Sequence, residues 1–116
     1  MLPDERIVVS ELGNRRVQLF SPSGAYESLL QVPEGTVYKS PRSVTADQEG
    51  YIFVADTEGG AVYIFDPEAR YIQKIDSYSG KEIAPSAVTV GWDDHLYIAD
   101  IRSHSILVFK MVYPGK

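Results

Sequence analysis

The sequence predicts an all-β protein made of repeated four-stranded sheets, and two observations predict it. First, Ile7-Val8-Val9-Ser10-Glu11 returns as Ile52-Phe53-Val54-Ala55-Asp56 and again as Leu96-Tyr97-Ile98-Ala99-Asp100, a period of about 45 residues. Val17-Gln18-Leu19-Phe20 keeps the same register, returning as Val62-Tyr63-Ile64-Phe65 and Ile106-Leu107-Val108-Phe109. Second, these segments are short, rich in Val, Ile, Tyr and Phe, and separated by Asp, Gly and Pro, which is strand-and-turn composition rather than helix. The period divides the chain into units of residues 6–40, 41–84 and 85–116, about two and a half copies of one pattern.

The middle unit is complete and shows each element in order. Residues 42–46 form a strand a, and residues 47–50 turn the chain. Residues 51–55 form strand b, 56–60 a second turn, 61–65 strand c, 66–69 a third turn, and 70–75 strand d. Strands b and c carry apolar side chains on both faces: Ile52 and Val54 alternate with Phe53, and Val62 and Ile64 with Tyr63 and Phe65. A sheet with one wet face would alternate apolar with polar residues, so each sheet is covered on both sides by its neighbours. Radially stacked four-stranded sheets are the blades of a β-propeller. A β-solenoid stacks similarly, but its coils are usually much shorter than this unit.

Composition narrows the function classes. The chain has 116 residues, 44% of them hydrophobic and eight of them Tyr, enough for a packed core. Its net charge of −5 disfavours a generally basic nucleic-acid binder. The absence of Cys removes disulfides and cysteine-ligated zinc. No apolar run approaches the ~18 residues of a membrane span, and Met1-Leu2-Pro3-Asp4-Glu5-Arg6 lacks the layout of a signal peptide. A cytoplasmic location is the expectation, although a chain without Cys also suits secretion. No Gly-rich phosphate loop, zinc spacing or paired-carboxylate arrangement is present, so no cofactor, metal or catalytic residue is assigned.

The pattern resembles the NHL repeat, named for an Asn-His-Leu-like stretch before an apolar strand ending in Phe. Asn14-Arg15-Arg16-Val17-Gln18-Leu19-Phe20 carries the resemblance, together with the elements at Ile52 to Asp56 and Pro41 to Asp47. The second unit departs from it at Gly59-Gly60-Ala61, and the third at Ser103-His104-Ser105 and Gly91-Trp92. The resemblance implies a propeller, usually of about six blades. It further implies the C-terminal recognition arm of a tripartite-motif, RING-type ubiquitin ligase, in which the propeller selects protein or RNA targets. The chain opens on a strand b and stops soon after a strand c, as the last blade of a ring does when a strand from the other end completes it. The expectation is the C-terminal part of a larger propeller, or a short product that needs further blades or self-association to close the ring.

In propellers the b–c turns and d–a connections share one face, and function concentrates on such loops. That face would carry Arg15, Arg16, Tyr38, Lys39, Arg42, Tyr78, Lys81, Arg102 and His104 as binding candidates. Its six Lys/Arg meet seven Asp/Glu, whereas the opposite face sets Asp47, Glu49, Asp66, Glu68, Asp93 and Asp94 against Arg70. The basic cluster of Arg15, Arg16, Lys39 and Arg42 could engage phosphates or an acidic peptide, with tyrosines stacking on bases; loop cations are more commonly plain solvated surface. Glu11, Asp56 and Asp100 recur after strand b. Converging oxygens there could hold calcium, but an acid at a turn start more often bonds the following amides. His104 between Ser103 and Ser105 reads as a loop histidine, without a nucleophile motif. Trp92 and Tyr97 are expected to pack between blades.

The expected function is therefore target recognition, with a protein target first and RNA as the alternative. A part of a secreted propeller enzyme ranks last, because the starts of strand a offer no His.

Overall fold

In the computed structural model, which describes residues 1–112, the chain consists of strands and turns, with no helix among the described residues. The first sheet contains β1 (Ile7–Glu11), β2 (Arg16–Phe20) and β3 (Tyr26–Leu29). The second contains β4 (Pro41–Ala46), β5 (Ile52–Asp56), β6 (Ala61–Phe65) and β7 (Tyr71–Ile75). A two-stranded hairpin, β8 (Ser77–Tyr78) with β9 (Lys81–Glu82), interrupts the following connection. The third sheet contains β10 (Pro85–Val90), β11 (His95–Asp100) and β12 (Ser105–Lys110). Within each sheet the strand order is the chain order, and every pairing is antiparallel.

The first sheet is thus strands b, c and d, the second is complete, and the third is a, b and c. Strand limits differ from the sequence reading by single residues. Pro41 opens β4 at a register shift between Pro41 and Ser43, and β10 repeats this between Pro85 and Ala87. A proline is tolerated there because the first residue of a strand need not donate to the ladder.

Two apolar layers lie between the three sheets. Ile52, Val54, Tyr63 and Phe65 of the middle sheet meet Val17, Leu19, Leu30 and Tyr38. The opposite faces of the same strands, Phe53, Ala55, Val62 and Ile64, meet Ile83, Val88, Leu96, Ile98 and Leu107. Every residue of β5 and β6 is buried, the physical consequence of apolar side chains on both faces. Each large side chain so buried contributes about 1.5–3 kcal/mol. Tyr38 and Tyr63 meet edge to face, with ring centroids 5.6 Å apart, in the first layer.

The turns repeat at the level of single backbone angles. Gly50 and Asp94 hold the same place in the a–b turns, with φ of 95° and 60°. Gly24 and Ala69 do so in the c–d turns, at 91° and 66°. Glu5, at φ 72°, holds this place in the N-terminal segment. There Leu2 N donates to Arg6 O at 2.9 Å, as Asp47 N does to Tyr51 O at 3.0 Å and Gly91 N to His95 O at 2.9 Å. Met1 to Arg6 therefore form the a–b turn of the first sheet, although that sheet has no strand a among the described residues, and Leu2 is buried in the first apolar layer. Arg6 Nη2 ties this turn to Pro67 O at 2.7 Å.

Trp92 does not pack between sheets. It stands 98% exposed, because it occupies the turn corner that Gln48 holds in the middle unit, where side chains project into water. Tyr97 holds the place of Phe53 but lies on the open side of the third sheet, half-buried, its hydroxyl donating to Asp93 Oδ2 at 3.0 Å. No further sheet covers it among the described residues.

Candidate functional site

The b–c turns and the d–a connections meet at one end of the sheets, and buried carboxylates hold them there. Asp56 is fully buried at the end of β5. It accepts hydrogen bonds from Lys39 N at 2.9 Å, Ser40 N at 2.7 Å and Gly59 N at 3.0 Å. One carboxylate thus fastens its own turn to the connection arriving from the previous sheet. Ser40 completes the clasp: its Oγ accepts from Glu58 N at 2.7 Å, and its carbonyl from Thr57 N at 3.2 Å.

Asp100 repeats the device one sheet later, accepting from Ala84 N at 2.8 Å, Arg102 N at 3.1 Å and Ser103 Oγ at 2.6 Å. Burial pushes its carboxyl up, but the bonds from Ala84, Ser103 and Arg102 outweigh this and leave it below the ordinary aspartate value. Glu11 fastens no other connection among the described residues. It pairs instead with Arg16, Nε to Oε2 at 2.5 Å, and accepts from Asn14 Nδ2 at 3.0 Å. The recurrent acids are turn-fastening groups, and no set of three His, Cys, Asp or Glu that could hold a metal ion occurs among the described residues.

The repeat departures acquire a reason in this geometry. Asn14, Gly59 and Ser103 occupy the third place after the acid, and each donates to it, through a side chain in the outer units and through the backbone at Gly59. A Cβ on Gly59 would lie 2.4 Å from Asp56 Oδ2, so the buried carboxylate requires glycine there. The fourth place is left-handed in all three turns: Arg15 at φ 52°, Gly60 at 67° and His104 at 55°. Two of the nine candidate residues are therefore held in a conformation that side chains rarely adopt.

The structure divides the candidates between the two sheet junctions. Arg15, Arg16, Lys39 and Arg42 are exposed around the first. Arg16 is committed to Glu11, whereas the side chains of Arg15, Lys39 and Arg42 have no ion-pair or hydrogen-bond partner among the described residues. Arg15 and Arg16 border a shallow groove of about 230 Å³ with Leu29, Val32 and Val37 along it. Tyr38 is not a surface residue: it is 5% exposed, and its hydroxyl donates to Leu30 O at 2.8 Å. Burial raises its phenol far above the ordinary value. The sequence placed it on the face because it lies in a connection; it turns inward because the gap between the sheets needs a large plug, a role Ile83 takes at the second junction.

At the second junction Lys81, Arg102 and His104 are exposed. Tyr78 rests edge to face on Phe109, ring centroids 5.4 Å apart, on the hairpin that the sequence reading did not anticipate. At the opposite end a cleft of about 470 Å³ lies between Met1, Leu2, Pro3, Asp47, Gln48 and Trp92. Nothing in the sequence reading pointed to it, because it depends on the N-terminal turn closing over the two a–b turns.

With this geometry in view, solved structures supply the class. The chain is similar to virginiamycin B lyase from Staphylococcus aureus in a catalytically inactive form with quinupristin, with a TM-score of 0.66 and 18% identity over 97% of this chain and 40% of that one. It is similar to a streptogramin B lyase, with a TM-score of 0.68 and 14% identity over 95% and 38% of the two chains. A third likeness is to the hydrazine synthase of Kuenenia stuttgartiensis, with a TM-score of 0.62 and 14% identity over 92% and 33%. The chain thus spans less than half the length of each of these proteins. No protein-family model and no curated protein matches the sequence. At these identities the likeness shows the fold: the chain is a partial β-propeller.

Proposed function

We propose that the chain is a target-recognition module whose binding face is the end bearing the b–c turns and d–a connections, and that its target is an acidic segment of a protein. The observation that carries this reading is the first junction. The side chains of Arg15, Lys39 and Arg42 are exposed cations without partners among the described residues, and Arg15 borders a groove with apolar walls. The buried Asp56 clasp holds Lys39 and its neighbours in place, so little ordering remains to be done on binding. An acidic, partly apolar peptide matches this chemistry.

The resemblance to NHL repeats extends the reading to the recognition arm of a tripartite-motif ubiquitin ligase acting in the cytoplasm. RNA is the alternative target. It is the less supported one, because Tyr38, next to Lys39 in the chain, is buried and so removed from any stacking role.

Two probes of matched charge, a labelled poly-glutamate peptide and poly-uridine RNA, separate these readings. The peptide is expected to bind, and Arg15→Glu with Arg42→Glu to abolish binding. Binding of the RNA with a steep salt dependence that the same variant removes would transfer the site to RNA. Binding of neither would sink the assignment of this face. The ligase reading is tested separately by the 5′ extent of the transcript: upstream codons for a Cys/His-rich RING are expected.

A further inference from the structure

The a–b turns converge at the end opposite the loop face. Their cleft of about 470 Å³ is lined by the same three places of all three turns, the last being the corners Pro3, Gln48 and Trp92. Strands β4 and β10 end at this cleft, at Ala46 and Val90, and run from it towards Asp56 and Asp100 at the other end. The cleft is therefore a product of the turns and not of the place at which the sequence begins. Nor does exposure of the corners depend on an uncovered sheet: Gln48 is exposed although the middle sheet has a neighbour on each side.

Trp92 is out of keeping with its place. The turn needs no aromatic there, since proline and glutamine stand at the same corner in the other two units, and all three turns are closed by the same amide-to-carbonyl bond. The corner nonetheless holds the sole Trp of the chain, 98% exposed on the rim of a cleft whose walls include Leu2, Ala46 and Val90. Such an indole offers its ring face to a ligand.

Charge selects the ligand. The place after the corner is an exposed acid in each turn, Asp4, Glu49 and Asp93, and Asp94 follows in the third. Asp47 lines the cleft itself. Arg6 is committed to Asp4, and Arg70 to Asp66 and Glu68, while Lys110 borders a separate groove between the middle and third sheets. His95 lies against Asp93, Nδ1 to Oδ2 at 3.2 Å. An aromatic face amid carboxylates draws a cation and repels an anion. The apolar walls suit the methylene stem of a long cationic side chain.

We propose that this cleft takes an arginine or lysine side chain from a basic segment of a partner protein. The cationic head rests on the Trp92 ring, and the stem lies along the apolar walls. This is a second site, opposite to the loop face in charge preference, and it does not depend on what that face binds.

The probe is a labelled tetra-arginine peptide with blocked ends, titrated into the whole chain while Trp92 emission and peptide anisotropy are followed. Saturation is expected to change the emission and to shield the indole from acrylamide. Trp92→Gln gives the third turn the corner residue of the middle one and leaves the net charge unchanged. It should weaken the peptide about fivefold to tenfold, and Trp92→Phe, which keeps an aromatic face, should recover part of that loss. Arg15→Glu with Arg42→Glu should leave the Trp92 response in place, which separates this site from the loop face. Circular dichroism checks that the variants remain folded. Peptide held as tightly by Trp92→Gln as by the native chain would reduce the binding to bulk attraction by a net charge of −5 and overturn the proposal. An indole still fully open to acrylamide at saturation, or no binding at all, would overturn it too.

Discussion

Asp56 joins two segments of chain through one carboxylate, and its surroundings set the cost of removing it. Asp56→Ala strands the amides of Lys39, Ser40 and Gly59 and should cost about 3 kcal/mol or more in chemical denaturation. Asp56→Asn, which keeps an acceptor oxygen, should cost less. At Asp100 the folded-state carboxyl titrates below the ordinary 3.8, so the native chain takes up that proton less readily than the unfolded one. Its stabilisation is complete above the unfolded value and disappears as pH falls through the folded one. Thermal melts below about pH 4 should therefore fall more steeply for the native sequence than for Asp100→Asn. Arg15 is held at φ 52°, and Arg15→Gly should raise stability by about 0.5–1 kcal/mol while weakening capture of an acidic probe. If stability and capture fell together, Arg15 would be a structural residue and not a strained binding one.

At the scale of single elements, the b–c turn of the middle sheet has no room for a methyl group. Gly59→Ala places a Cβ 2.4 Å from Asp56 Oδ2 and should cost about 1–3 kcal/mol, with the loss concentrated in the exchange protection of the Lys39 and Ser40 amides. The sequence showed Gly59-Gly60 only as a departure from the repeat. Its cause is a carboxylate folded back onto a connection far upstream, and no reading of neighbouring residues contains that contact. Trp92 gives a similar lesson. A large aromatic beside strand residues reads as core, yet the turn corner it occupies faces water, so its fluorescence should show the emission of a fully hydrated indole and full access to acrylamide. Tyr38 is the converse, a connection residue drawn inward because two sheets diverge around it.

For the whole molecule, burial concentrates in the middle sheet, where β5 and β6 are covered on both faces, and declines towards both ends. Hydrogen exchange should be slowest at β5 and β6 and fastest at β7 and the β8–β9 hairpin, whose side chains are mostly exposed. Uniform protection across the three sheets would contradict a stability that depends on neighbouring blades.

By itself the sequence determined the repeat, the strand order within each unit and the burial of strands b and c on both faces. Each of these follows from spacing and side-chain chemistry that neighbouring residues display directly. It also placed the recurrent acids at turn starts, where they are. The tertiary structure alone decided what those acids fasten, which candidates reach solvent, and that Met1 to Arg6 form a turn of the same repeat. Those outcomes rest on contacts between segments distant along the chain, and on how far apart two twisted sheets stand where they meet. A local pattern encodes neither.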